Sequence, residues 1–183
     1  MYEYFKGRGR LKIIVKNIFF TGEKGVGKST IIKKIIKNVD CSIGGFIQEK
    51  ELSGGNKRFR VKSLYNLDDS YIIGFYDKKE NELHWDINTF DIISRDVLLK
   101  SLQDRELMIL DELGYMEEKA PLFQKIVFRM LDSSKPVIGV LKKCNGNFVR
   151  KIAERKDVQV IEIDKDNRDL MERKIRGIWR NGK

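Results

Sequence analysis

Apolar residues in this chain fall into short runs whose spacing changes from one region to the next. Leu11 to Val15 and Ile18 to Phe20 make an apolar stretch interrupted only by Lys12, Lys16 and Asn17, which predicts a buried strand. A glycine-rich turn follows directly. From Ser29 onward Ile31, Ile32, Ile35, Ile36 and Val39 recur at helical spacing while Lys33, Lys34 and Lys37 take the other side, so an amphipathic helix with a basic outer face is expected. Between residues 45 and 76 the pattern becomes that of strands: Phe46 to Glu51, Lys57 to Tyr65 and Tyr71 to Tyr76, the first two joined by the turn Ser53-Gly54-Gly55-Asn56, which makes this section antiparallel. A helix is expected from Thr89 to about Leu102, and a buried strand over Leu107 to Leu110 ending at Asp111-Glu112. Pro121 opens a helix carrying Leu122, Phe123, Ile126, Val127 and Met130 on one face. Val137 to Leu141 and Val158 to Ile163 read as further strands, with Asn147 and Asn167 as N-caps of the helices after them, the last running through Trp179. This alternation of helix and strand predicts an α/β three-layer sandwich, a mainly parallel sheet covered on both faces, with the antiparallel section inserted.

Composition changes this picture little. A chain of 183 residues suits one domain, and at that size roughly 70% of the unfolded surface can be buried without staples. Cys41 and Cys144 stand far apart with no CxxC spacing, which disfavours a zinc site or a disulfide framework. No apolar run approaches the 18 or so residues of a membrane span, and the start of the chain has charge without a signal peptide's hydrophobic region, so a cytoplasmic protein with no membrane partner is expected. The net charge of +10 invites a nucleic-acid partner. Its lysines are spread over nearly every helix and interleaved with acids, which favours a general compositional bias instead.

The chemistry lies in two segments. Gly22-Glu23-Lys24-Gly25-Val26-Gly27-Lys28-Ser29 matches GxxxxGK[ST], a loop whose backbone N–H groups wrap phosphate oxygens. In that reading Lys28 bridges the β- and γ-phosphates, Ser29 ligates Mg2+, and the helix beginning beside Thr30 directs its positive end at the anion. Nucleotide-binding residues are then Gly22, Glu23, Lys24, Gly25, Val26, Gly27, Lys28, Ser29 and Thr30. The strand Leu107-Met108-Ile109-Leu110 delivers Asp111 and Glu112 at its carboxyl end, where ligands bind in open α/β sheets. In the same reading Asp111 holds Mg2+ directly or through its water, and Glu112 accepts a proton from an attacking water or orients it. Adjacent carboxylates favour hydrolysis over switching, and no NKxD-like guanine reader appears. Phosphoryl transfer also wants a cation on the transferred group; the candidates are Arg58, Arg95, Arg129, Arg150 and Arg168, each of them more often a solvated surface residue.

From about Lys16 to Arg176 the chain resembles the THEP1-type nucleoside-triphosphatase family. The resemblance is carried by Asn17-Ile18-Phe19-Phe20-Thr21-Gly22 before the loop, by Gly45-Phe46-Ile47-Gln48-Glu49, by Lys57-Arg58 and by Ser134-Lys135-Pro136-Val137. Its most specific part is Asp111-Glu112-Leu113-Gly114-Tyr115-Met116-Glu117, similar to the family's DE-aliphatic-G-x-ME signature, and it closes on Asp166-Asn167-Arg168-Asp169. What it implies is slow, Mg2+-dependent hydrolysis of ATP, GTP and other nucleoside triphosphates, with Arg168 and Arg58 favoured among the arginines as catalytic. Two departures stand out: Gln48 where the family tends to have Thr, and Leu141-Lys142-Lys143 where it often carries His or Arg.

The family start near Val15 makes residues 1–14 a basic extension before a single domain over 15–183. A monomer is expected. His84, Trp85, Tyr65, Tyr71 and Met116 read as packing or surface residues, and Glu117 as either a positioning or a surface carboxylate. Two alternatives remain: a nucleotide or small-molecule kinase using the same loop, and a nucleic-acid-associated ATPase suggested by the basic segments Lys6 to Lys12 and Arg173 to Lys183.

Overall fold

The computed structural model describes residues 16–171 and 173. The predicted strand portion Leu11 to Val15, the extension 1–14 and the far end of the last helix lie outside the described residues. The elements are β1 (Asn17–Thr21), α1 (Lys28–Asn38), β2 (Ile43–Ser53), β3 (Asn56–Ser63), β4 (Ser70–Asp77), β5 (Glu82–Trp85), α2 (Ile87–Ile93), α3 (Lys100–Asp104), β6 (Leu107–Leu113), α4 (Pro121–Asp132), β7 (Val137–Leu141), α5 (Asn147–Ala153) and β8 (Val158–Glu162). They form one sheet of eight strands in the order β5-β4-β3-β2-β6-β7-β1-β8. Strands β2, β6, β7, β1 and β8 are parallel neighbours, and β3, β4 and β5 extend that sheet antiparallel from β2.

Alternation of side chains on the parallel strands supplies both cores. Ile18, Phe20, Leu107, Ile109, Ile138 and Val140 point to one face and are covered by Ile31, Ile32 and Ile35 of α1. Phe19, Met108, Leu110, Val137 and Leu141 point to the other, where they meet Phe90, Phe123, Val127 and Phe148 from α2, α4 and α5. Each fully buried side chain of this size contributes about 1.5–3 kcal/mol. These two layers flank the sheet as the pattern predicted.

Several boundaries differ for local reasons. The helix expected from Thr89 starts at Ile87, because Asp86 accepts the Asn88 N–H at 2.9 Å and the Thr89 hydroxyl at 2.9 Å. It passes through a π-helical stretch, Ser94–Leu99, before α3. Strand β5 was not expected: it is a four-residue edge with exposed Glu82 and half-buried His84, too polar to show an apolar run. Asn147 does not cap α5. Gly146 holds that position, Asn147 is the first helical residue and accepts from Arg150 at 2.9 Å, and the free Phe148 N–H is taken by the Glu118 carboxylate at 2.7 Å. Asn167 likewise does not cap forward: its amide bonds back to Asp164 N and Glu162 O, while Asp164 accepts the N–H groups of Asp166 and Asn167. Among the described residues no helix is long and apolar enough to cross a membrane.

Candidate active site

The carboxyl ends of β1, β6 and β7 open on a cavity of about 690 Å³. One wall is the loop between β1 and α1. Gly22 (φ 136°), Gly25 (φ 83°) and Gly27 (φ 108°) hold backbone angles that side chains resist. At Gly22 a Cβ would also lie 2.2 Å from the Ile163 carbonyl oxygen, so the close passage of the loop over the end of β8 requires glycine. Residues 22–30 line the cavity apart from Val26, whose side chain packs against the core beside α1. The Lys28 ammonium folds across the loop and donates to the carbonyls of Gly22 and Glu23, both at 2.7 Å. Burial depresses its pKa, against the pull of Glu112 and Glu23.

Asp111 and Glu112 sit at the end of β6 but in different surroundings. Asp111 is fully buried. It accepts from the Ser29 hydroxyl at 3.3 Å and the Gln48 N–H at 3.4 Å, and burial, helped by the charge of Glu112, pushes its pKa up to about 6. A desolvated carboxylate beside a hydroxyl is a donor set that fits a hard divalent cation with oxygen ligands. Glu112 stands at an irregularity where the β6–β7 register shifts between Leu110 and Leu113, and its φ is +69°. Such a backbone is uncommon outside glycine, costs on the order of 1 kcal/mol, and concentrates at active sites. It turns the carboxylate into the cavity. Burial alone would raise the Glu112 pKa, but Lys142 at 3.4 Å and Lys50 at 2.8 Å outweigh it and hold the group below the usual carboxylate range.

Lysines and rings complete the opposite wall. Lys50 comes from β2, Lys57 and Phe59 from β3, Tyr115 from the turn after β6, and Lys142 from the end of β7. The aliphatic stem of Lys142 occupies the space a side chain at Gly114 would need, its ammonium lies 5.2 Å from the Tyr115 ring, and its N–H bonds the Leu113 carbonyl at 2.8 Å. Lys143 ties the loop to β8 through Glu23 at 2.9 Å and Glu162 at 2.8 Å, two carboxylates that raise its pKa.

Thus Lys28, Ser29, Asp111 and Glu112 are brought together, while the two arginines are treated differently. The Arg168 stem passes 3.6 Å from the place a Gly27 Cβ would occupy, beside the loop. Arg58 is not among the lining residues; by strand alternation it faces away from the side that Lys57 and Phe59 present to the cavity. Glu117 is buried and accepts the Gly114 N–H at 2.8 Å, so it braces the turn after Glu112. Met116 is core, Tyr65 packs under Arg105 at 4.5 Å, and His84 stacks on Phe75 at 4.7 Å on the β4–β5 edge. Of the lining residues that the sequence reading gave no role, Lys57, Tyr115 and Lys142 lie in or beside segments of the family resemblance, and Lys142 also follows a parallel strand, whereas Lys50 and Phe59 carry no motif of their own.

Comparisons with known proteins bear on the family and the fold. A family model described as NTPase matches residues 17–176. The nucleoside-triphosphatase THEP1 of Thermotoga maritima is 32% identical over 165 residues, covering 84% of this chain and 90% of that protein. The protein of the same name from Methanocaldococcus jannaschii is 30% identical over 154 residues, covering 80% and 88%. The crystal structure of THEP1 from Aquifex aeolicus superposes with a TM-score of 0.73 at 25% identity, over 89% of this chain and 98% of that one. A human cancer-related nucleoside triphosphatase shares the fold, with a TM-score of 0.71 at 22% identity over 92% and 99%.

Proposed function

The chain belongs to the THEP1-type nucleoside-triphosphatase family, and from that premise we propose that it hydrolyses nucleoside 5'-triphosphates, ATP and GTP among them, to the diphosphate and phosphate. The observation that carries the reading is that Lys28, Ser29 and Glu112, from the ends of β1 and β6, line one cavity, with the buried Asp111 directly beneath it against the Ser29 hydroxyl at 3.3 Å. In this reading the loop amides and Lys28 bind the phosphates, with the Lys28 ammonium exchanging its two carbonyl partners for phosphate oxygens. Ser29 and Asp111 hold Mg2+, which when bound neutralises charge on the phosphates. Glu112 orients the attacking water and takes its proton. Arg168, beside the loop, is the arginine placed to add positive charge near the phosphates.

Two further features follow from the same residues. The loop offers Lys28 and backbone N–H groups, which read phosphate rather than base, and that supports broad base tolerance. Glu112 is held by Lys50 and Lys142, so it is a weak base until the nucleotide's own charge competes for those ammonium groups; this supports slow turnover. The test is phosphate release from ATP, GTP, CTP and UTP with Mg2+, for the wild type beside Glu112→Gln. All four should be hydrolysed, and the substitution should lower kcat by about 10²- to 10⁴-fold while nucleotide still binds. Wild-type turnover in Glu112→Gln would remove Glu112 from its role.

A further inference from the structure

We propose that the wall opposite the P-loop is a binding site for a second, phosphate-bearing ligand with an aromatic ring, the chemistry of a nucleoside monophosphate, placed to accept the γ-phosphoryl group. The inference rests on the nucleotide occupying the P-loop as described above. Three observations carry it. First, the cavity of about 690 Å³ continues past Glu112, away from the loop, to Lys50, Lys57, Phe59 and Tyr115. A water nucleophile requires none of that space. Second, this wall is charged beyond its own needs: Lys50 and Lys142 share a single carboxylate, Glu112, and Lys57 lines the same cavity, leaving two positive charges in excess. Lys57 lies over the Tyr76 ring at 5.3 Å and has no ion-pair partner among the described residues. An anion with two negative charges matches that excess.

Third, the cations are interleaved with rings. Phe59 and Tyr115 line the same wall, Tyr115 is 42% exposed, and Trp85 backs it edge-on at 6.4 Å. An ammonium group beside an exposed ring, as Lys142 lies beside Tyr115 while Phe59 is buried behind the wall, forms the kind of surface on which a base stacks while its phosphate is gripped. The Lys142 stem lies against Gly114, and Lys50 and Lys57 project from adjacent antiparallel strands. In the transfer step an oxygen of the monophosphate forms a bond to the γ-phosphorus. The bond from that phosphorus to the β–γ bridging oxygen breaks, and the nucleoside diphosphate leaves with the electron pair. A proton on the attacking oxygen passes to Glu112. The products are two nucleoside diphosphates, and hydrolysis is the same displacement with water in the acceptor's place.

The experiment incubates the full chain with γ-labelled ATP and Mg2+, alone and with AMP, GMP, CMP, UMP or ribose 5-phosphate, and separates the labelled products. Label is expected in the diphosphate of at least one nucleotide, formed at least about tenfold faster than phosphate is released without acceptor, with ribose 5-phosphate slower by a similar factor for want of a ring. Lys57→Met should lower transfer about tenfold and leave acceptor-free phosphate release unchanged. Label confined to inorganic phosphate with every acceptor, or transfer indifferent to Lys57→Met, would overturn the proposal. Acceptor-free release and its loss in Lys28→Ala report on the P-loop reading separately.

Discussion

The P-loop wall of the cavity is one continuous run, residues 22–30, and it offers mainly backbone N–H groups; the opposite wall is gathered from β2, β3, β7 and the turn after β6, and offers side chains. The first is shaped by glycine angles and the axis of α1, which any chain with that spacing reproduces. The second depends on which residues the antiparallel extension happens to present, since β3 joins the sheet only through β2 and β4. In the proposed reading the difference teaches where generic and particular chemistry reside: phosphate binding belongs to the backbone geometry of a loop, and choice of reaction partner to lysines and rings brought from distant positions.

The largest effect should come from breaking the loop wall. Lys28→Ala removes the only side chain that spans the loop, from Gly22 and Glu23 to the cavity. Hydrolysis should fall by about 10³-fold or more, as expected when a preorganised cation is taken from the transferred phosphate. The melting temperature should change little, because the two bonds lost run to carbonyls of the loop itself, one part-buried at Gly22 and one exposed at Glu23. A large loss of stability instead would mean that the loop is held together by its lysine.

Next in size is a change at the floor between the walls. The Asp111 carboxyl has its pKa moved from an ordinary 3.8 to about 6, mainly by burial. Between these values the folded protein keeps a proton that the unfolded chain has released, so stability of the metal-free protein should fall as pH rises through this window, and stay lower above it. The shift corresponds to about 3 kcal/mol at neutral pH. Asp111→Asn should therefore raise the stability of chelator-treated protein at pH 7 by up to about that amount while abolishing Mg2+-dependent hydrolysis. Equal melting of both proteins in chelator at pH 7 would show that solvent or relaxation already relieves the buried charge.

The same contrast explains what was legible in the sequence. Gly22 to Ser29 could be read because the loop's function is written in contiguous residues, and Asp111-Glu112 because an apolar run ends on two acids. The parallel strands were legible for a related reason: both faces are buried, so Phe19, Phe20, Ile109 and Leu110 are apolar without interruption. Lys57 and Lys142 stood in or beside segments of the family resemblance without a role and Lys50 was hidden among many lysines; the pairing of β2 with β3 and of β6 with β7 makes them neighbours. The strand β5 was hidden because an edge needs no apolar run. The caps at Asn147 and Asn167 were misread because capping is decided by tertiary competitors: Glu118 reaches the amide of Phe148 from another segment, and Asp164 turns its own loop first.

The smallest effect should separate the two walls most cleanly. Gly114 has ordinary backbone angles, so alanine fits the chain there, but its Cβ would lie 2.5 Å from Cδ of Lys142 and 3.3 Å from its Cβ and Cγ. The Cδ can swing aside, so Gly114→Ala should alter stability by less than about 1 kcal/mol. In swinging, the stem carries the Lys142 ammonium off Glu112 and off the Tyr115 ring, from 3.4 Å and 5.2 Å respectively. Nothing in the loop wall moves. Nucleotide affinity, measured by direct titration, should therefore be unchanged, while kcat shifts by a factor of up to about ten as the charge around Glu112 is redistributed. A weakened nucleotide affinity would show that Lys142 grips the triphosphate itself, and the division of labour between the walls would have to be redrawn with Lys142 on the loop's side.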